Sequence, residues 1–100
     1  MRPASFILTA NHCINNQQSA TSISSLWFDE ESACGSNLPS PSRVQVGGGM
    51  SLTFTNFNVD STLLLMNSAP PSGALYAPLN PALLNPGQNV VSISHPTGDL

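Results

Sequence analysis

Met50-Ser51-Leu52-Thr53-Phe54-Thr55 is the stretch that decides the fold class. Apolar and hydroxyl side chains alternate strictly along it. Successive side chains on a strand point to opposite faces, so a period of two is the pattern of a half-buried β-strand. Just upstream, Gly47-Gly48-Gly49 can turn the chain, and before the glycines Val44 and Val46 alternate with Arg43 and Gln45. Two alternating runs around three glycines predict a hairpin. Working outward, Phe6-Ile7-Leu8-Thr9-Ala10 is a short apolar run without helical spacing. Residues 23–28 are rich in β-branched and aromatic side chains and stop at Asp29-Glu30-Glu31. Leu63-Leu64-Leu65-Met66 is continuously apolar, as in a strand buried on both faces, and Val90-Val91-Ser92-Ile93-Ser94 predicts a last strand, halted by His95-Pro96. No helix longer than a turn or two and no internal repeat is expected, so the fold class is all-β.

The connections have their own chemistry. Residues 32–42 carry Gly35, Pro39, Pro41 and four serines, which reads as an exposed loop. Residues 69–88 hold Pro70, Pro71, Pro78, Pro81 and Pro86 with Gly73 and Gly87. Proline fixes φ and offers no N–H, so this stretch is turn and irregular connection. Tyr76 and Leu83-Leu84 are expected to pin it to the core. The strand at 90–94 has no clear partner, which makes the chain look like a piece of a larger sheet system.

Composition narrows the function classes. The chain has 100 residues, 40 % of them hydrophobic, enough for one small core. It has two arginines, no lysine and five carboxylates, for a formal charge of −3. Phosphate backbones demand clustered cations, so nucleic acid is excluded as a partner, and so is a polybasic membrane contact. The longest bulky apolar run, residues 63–66, is far too short to span a bilayer. The apolar stretch at residues 6–8 is too short for a secretory signal, so a signal for export is expected upstream of this chain.

The segment with chemistry is Leu8-Thr9-Ala10-Asn11-His12-Cys13, which puts a histidine directly after a strand. The two cysteines allow one intramolecular pairing, Cys13 with Cys34, 21 residues apart. Closing such a loop stabilises by roughly 3 kcal/mol in the chain-entropy model. The other reading is two free buried thiols in a cytosolic protein; the lysine-free, hydroxyl-rich composition leans toward an oxidising compartment.

At Thr9-Ala10-Asn11-His12-Cys13 the chain resembles trypsin-like serine peptidases of the chymotrypsin fold, whose catalytic histidine sits in T-A-[AN]-H-C. Asn11 in the middle is similar to the bacterial branch that includes lysyl endopeptidases. A second family motif, D-x-[TA]-L-L, stands as Asp60-Ser61-Thr62-Leu63-Leu64, 48 residues after His12, and His95-Pro96-Thr97-Gly98-Asp99-Leu100 resembles the start of that branch's second barrel. The resemblance implies an incomplete double β-barrel. Residues 4–68 would make most of the first barrel, 69–88 the connection between barrels and 89–100 the start of the second. It implies His12 as general base, Asp60 as the carboxylate that orients it, and a Cys13–Cys34 bridge. It also implies a secreted endopeptidase acting on polypeptide, completed by a C-terminal barrel of the same domain.

The nucleophile is missing from the pattern. The family places it in a G-[DS]-S-G-[GS] turn whose N–H groups also form the oxyanion hole. Ser36 follows Gly35 but precedes Asn37; Ser72 stands between Pro71 and Gly73; Ser61 adjoins Asp60. These residues alone are therefore expected to be inactive, and the competing expectation is a non-catalytic secreted β-domain used for binding or structure.

No cofactor or metal is expected. No C-x-x-C or H-x-x-x-H spacing supports zinc with His12, Cys13 or His95. Asp29-Glu30-Glu31 lacks calcium-ligand spacing and reads as a solvated loop. Gly47-Gly48-Gly49 lacks the lysine and helix of a phosphate loop. His95 reads as a strand-end residue before proline.

Overall fold

A computed structural model describes residues 4–95 and residue 100. The elements run in the order β1 (Phe6–Thr9), α1 (Gln17–Thr21), β2 (Ser25–Trp27), β3 (Val44–Val46), β4 (Met50–Asn56) and β5 (Ser61–Met66). β5 lies between β1 and β4 in an antiparallel sheet, and β2 pairs with β3 in a second one. Among the described residues the domain is all-β with one five-residue helix. That helix starts at Asn16, whose side-chain oxygen accepts the Ser19 N–H at 2.8 Å, a standard N-cap. Five residues are too few to leave a helical period in the sequence.

The central place of β5 accounts for its apolar run. Thr62, Leu64 and Met66 are buried on one face, while Ser61, Leu63 and Leu65 are half-buried on the other. Leu64 stands opposite Ile7 on one neighbour and Leu52 on the other. Withdrawing one such side chain from water stabilises by about 2 kcal/mol. The core gathers Leu64 with Ala20, Met50 and Met66, and Ile7, Ile14, Ile23, Trp27, Val46 and Leu52 pack around them. It sits where the helix and both sheets meet.

The glycine hairpin does not form: β3 pairs with β2, and β4 pairs with β5. Gly48 and Gly49 adopt φ of 94° and 72°. A Cβ on Gly49 would collide with the backbone carbonyl of Thr21 at the end of α1. The glycines thus carry the chain tightly past the helix from one sheet to the other, a path closed to residues with a side chain. The outer edge of β4 is met by a side-chain amide instead. Leu52 N–H donates to Gln17 Oε1 at 2.8 Å, and Gln17 Nε2 donates to the Met50 carbonyl at 3.0 Å. This local cover blunts an otherwise open edge. The sheets remain open rather than closing into a barrel, with β1 and β4 as the edges of the larger one.

The alternation in β4 is also broken. Register jumps between Leu52 and Phe54, so Thr53 is an extra residue, a β-bulge. Met50 and Leu52 oppose Met66 and Leu64 of the buried face, and past the bulge Thr55 takes over that face opposite Thr62. Phe54, an inward residue on strict alternation, is instead 51 % exposed.

Residues 69–88 are irregular, as their prolines require. The Tyr76 hydroxyl reaches Ser5 Oγ at 2.9 Å, but Leu83 and Leu84 are exposed and pin nothing. Residues 90–94 form no strand, and Val90, Val91 and Ile93 face solvent. Alternation there lacks the neighbour that a strand needs. The rest of the second-barrel motif, residues 96–99, lies outside the described residues. The expected Cys13–Cys34 bridge is absent as well: both cysteines are free and exposed. Cys13 stands in the turn after β1 and Cys34 in the loop between β2 and β3, so each sits on its own surface turn.

Candidate active site

Antiparallel pairing builds the site. Thr9, the last residue of β1, lies opposite Thr62, the second residue of β5. The chain leaving β1 and the chain entering β5 therefore meet at one end of the sheet, although 48 residues separate His12 from Asp60. After β1 the backbone folds into a tight turn in which the N–H groups of Cys13 and Ile14 both donate to the Ala10 carbonyl at 3.1 Å. His12 rides on the outside of that turn. Asp60 closes the four-residue β4–β5 turn with its N–H on the Phe57 carbonyl at 3.2 Å. It adopts a left-handed φ of 46°, a conformation that Asp tolerates better than most residues. Asn56 shapes the start of that turn, its side-chain oxygen accepting the N–H groups of Asn58 and Val59.

The two residues meet twice. His12 Nδ1 lies 2.7 Å from Asp60 Oδ2, and the His12 backbone N–H donates to Asp60 Oδ1 at 2.9 Å. The backbone bond, then the ring bond, hold the Asp60 carboxyl below its ordinary range. At neutral pH the carboxylate is ionised and can only accept, so the proton between the two side chains sits on Nδ1. The neutral ring then has its lone pair on Nε2, the nitrogen turned away from Asp60. That is the tautomer a general base needs. Both side chains are open to solvent, at 74 % for His12 and 50 % for Asp60.

Next to the pair runs a partly buried polar chain that sequence reading missed. Asn11 Nδ2 donates to Thr55 Oγ1 at 2.7 Å, Thr55 Oγ1 lies 2.7 Å from Thr62 Oγ1, and Thr62 Oγ1 donates to the Ile14 carbonyl at 2.7 Å. Asn11 had a signal, as the polar residue in front of His12. Thr55 had none, because unbroken alternation puts it on the opposite face from Met50 and Leu52.

Several of the other candidates have partners of their own. In the loop after β2, Arg43 Nε pairs with Asp29 Oδ1 at 3.2 Å, and Glu31 Oε2 accepts the Gly35 N–H at 2.6 Å. His95 Nε2 lies 4.0 Å from Asp29 Oδ2, far in sequence from the His12 pair. Ser61 Oγ, beside Asp60, donates to the Val59 carbonyl at 3.0 Å. Among the described residues, no group of three or more His, Cys, Asp or Glu side chains could hold a metal ion.

The chain is similar to known proteins at the level of sequence. The family described as lysyl endopeptidase, C-terminal domain, matches residues 2–100. A lysyl endopeptidase of Pseudomonas aeruginosa is 27 % identical over 93 residues, which cover 91 % of this chain and 20 % of that protein. The chain thus spans about a fifth of the length of the curated relative it matches. No solved structure matches it.

Proposed function

The chain belongs to the lysyl endopeptidase C-terminal domain family, and from that premise we propose that it supplies the histidine–aspartate part of a serine endopeptidase site. His12 is the general base and Asp60 the carboxylate that orients it. The carrying observation is the 2.7 Å contact of His12 Nδ1 with Asp60 Oδ2, backed by the His12 N–H on the other carboxylate oxygen. A serine hydroxyl is a weak nucleophile at neutral pH. An imidazole with a free Nε2 lone pair takes its proton as the hydroxyl attacks the peptide carbonyl, then returns that proton to the leaving amine. The imidazolium formed between those steps is stabilised by Asp60, which stays ionised throughout.

No serine of these 100 residues has the flanking glycines of a nucleophile turn. In this reading the nucleophile and oxyanion hole come from outside residues 1–100, and residues 1–100 alone cleave nothing. The substrate is polypeptide, and the setting is an exported protein.

The test puts residues 2–100 in place of the matching segment of the Pseudomonas aeruginosa relative and follows cleavage of an unstructured, lysine-containing protein. The folded chimera is expected to cleave, with kcat lowered by about 10⁴ or more in His12→Ala and in Asp60→Asn. A folded chimera that cleaves equally well with His12→Ala sinks the assignment. Cleavage by residues 1–100 alone that disappears in His12→Ala would instead place a nucleophile inside this chain, with Ser61 and Ser72 the first to test.

A further inference from the structure

The polar chain behind the dyad has a direction, and the direction follows from counting protons. Thr62 has a single hydroxyl proton, and the Ile14 carbonyl, which can only accept, takes it at 2.7 Å. Thr62 Oγ1 therefore accepts from Thr55, whose own single proton fills the 2.7 Å gap between the hydroxyls. Thr55 Oγ1 in turn must accept, and Asn11 Nδ2 donates to it at 2.7 Å. Every hydroxyl proton is assigned and none is left over. Hydrogen bonds aligned head to tail polarise one another and strengthen, and these are partly shielded from water: Thr62 is fully buried, Asn11 is 7 % exposed and Thr55 between them is half-buried.

The chain's two ends fall on either side of His12. It begins on the side chain of residue 11 and finishes on the carbonyl of residue 14, so it clamps the turn that carries the histidine. Its middle members belong to the hairpin that carries the aspartate. Thr62 comes two residues after Asp60, and Thr55 is its cross-strand partner. We propose that Asn11, Thr55 and Thr62 are positioning residues, a one-way hydrogen-bonded clasp that holds the His12 turn in register with the Asp60 hairpin and so keeps the ring in its Nδ1–H form.

This deepens the peptidase reading and rests on it for the word catalytic, but not for the geometry. Without the clasp the β1–β5 ladder still holds the chain as far as Thr9, but beyond it the His12 turn meets the Asp60 hairpin only through the two solvent-open His12–Asp60 hydrogen bonds. Water can then compete for the carboxylate, and the ring loses its fixed tautomer. Thr55→Val keeps the shape and removes both the acceptor and the proton. Asn11→Ala removes the first donor. Thr55→Ser keeps the hydroxyl.

The test reads ring-nitrogen NMR shifts of His12 in the 100-residue chain at neutral pH, with the amide spectrum of β1 and β5 as the control for folding. The expected result is a predominantly Nδ1–H ring in the wild type and in Thr55→Ser, and a minority Nδ1–H form in Thr55→Val and Asn11→Ala. Loss of stability alone leaves the tautomer of the folded fraction unchanged. Folded Thr55→Val and Asn11→Ala chains with the wild-type tautomer overturn the proposal, and so does a Thr55→Ser chain that shifts as far as Thr55→Val. The wild type gives a second reading that needs no variant. The hydroxyl protons of Thr55 and Thr62 should exchange slowly enough to be observed, unlike that of Thr53 on the bulge, and exchange as fast as that of Thr53 overturns the clasp. None of these measurements depends on cleavage, so an inactive chimera and a broken clasp are told apart.

Discussion

The sheet of β1, β5 and β4 and the segment 69–95 have similar apolar side chains and opposite fates. Leu63, Leu64 and Leu65 lie in a paired central strand, whereas Leu75, Leu79 and Leu83 are each more than 90 % exposed. The difference is hydrogen-bonding company. Phe6–Thr9 has a neighbour that satisfies its backbone, while residues 90–94, with an equally strand-like sequence, have none among the described residues and form no strand. An apolar pattern proposes a strand; a partner edge decides it.

The largest effect that separates the two regions should come from truncating one leucine in each. Leu64→Ala, at 1 % exposure, is expected to lower unfolding free energy by about 2–5 kcal/mol, and Leu83→Ala, at 93 %, to stay within about 0.5 kcal/mol. Urea titrations of the two variants check this, and equal effects would dissolve the distinction. A glycine pair gives a smaller contrast. Gly49 and Gly87 share a left-handed backbone, but only at Gly49 does an added Cβ meet another part of the chain. Gly49→Ala should cost about 1–3 kcal/mol, and Gly87→Ala about 1 kcal/mol, from backbone strain alone.

Limited proteolysis sharpens the contrast without mutation. Cuts should fall in residues 69–95, where backbone hydrogen bonds are few, before any fall in β1, β4 or β5. The smallest effect belongs to the dyad. The Asp60 carboxyl is held below its ordinary range, so its contribution to stability is full above the usual value of about 4 and fades as pH falls through the lowered one. Because both partners are solvent-open, the change in stability should be slight, while the His12 ring shifts should change clearly over the same acid interval.

Much of the site was legible in the sequence, and the reasons are local. His12 follows a strand and Asp60 precedes one, and two antiparallel strands pairing Thr9 with Thr62 bring those ends together. The strands at 6–9, 25–27 and 61–66 were likewise readable from their short apolar, β-branched and aromatic runs, although Phe6, Leu8 and Leu26 stay exposed. The hairpin at the glycines was misread. Alternation on both sides of a turn says that two strands exist, not that they pair, and Gly49 lies against α1, a helix too short to announce itself. The clasp was invisible because Thr55 reaches the buried face only by way of an unpaired residue upstream.

That unpaired residue, Thr53, makes β4 a strand of two parities. Its first half counts residues one way and faces the core with Met50 and Leu52; its second half counts the other way and faces Thr62 with Thr55. Excision of Thr53 should therefore be a quiet deletion, since the ladder from Leu52 to Phe54 closes and Thr55 keeps its side. A single insertion between Asp60 and Thr62 has no such slack. It would turn Thr62 outward or push the slip into the turn that presents Asp60. Tolerance to length change in this hairpin is accordingly asymmetric, forgiving on the strand before the turn and strict on the strand after it.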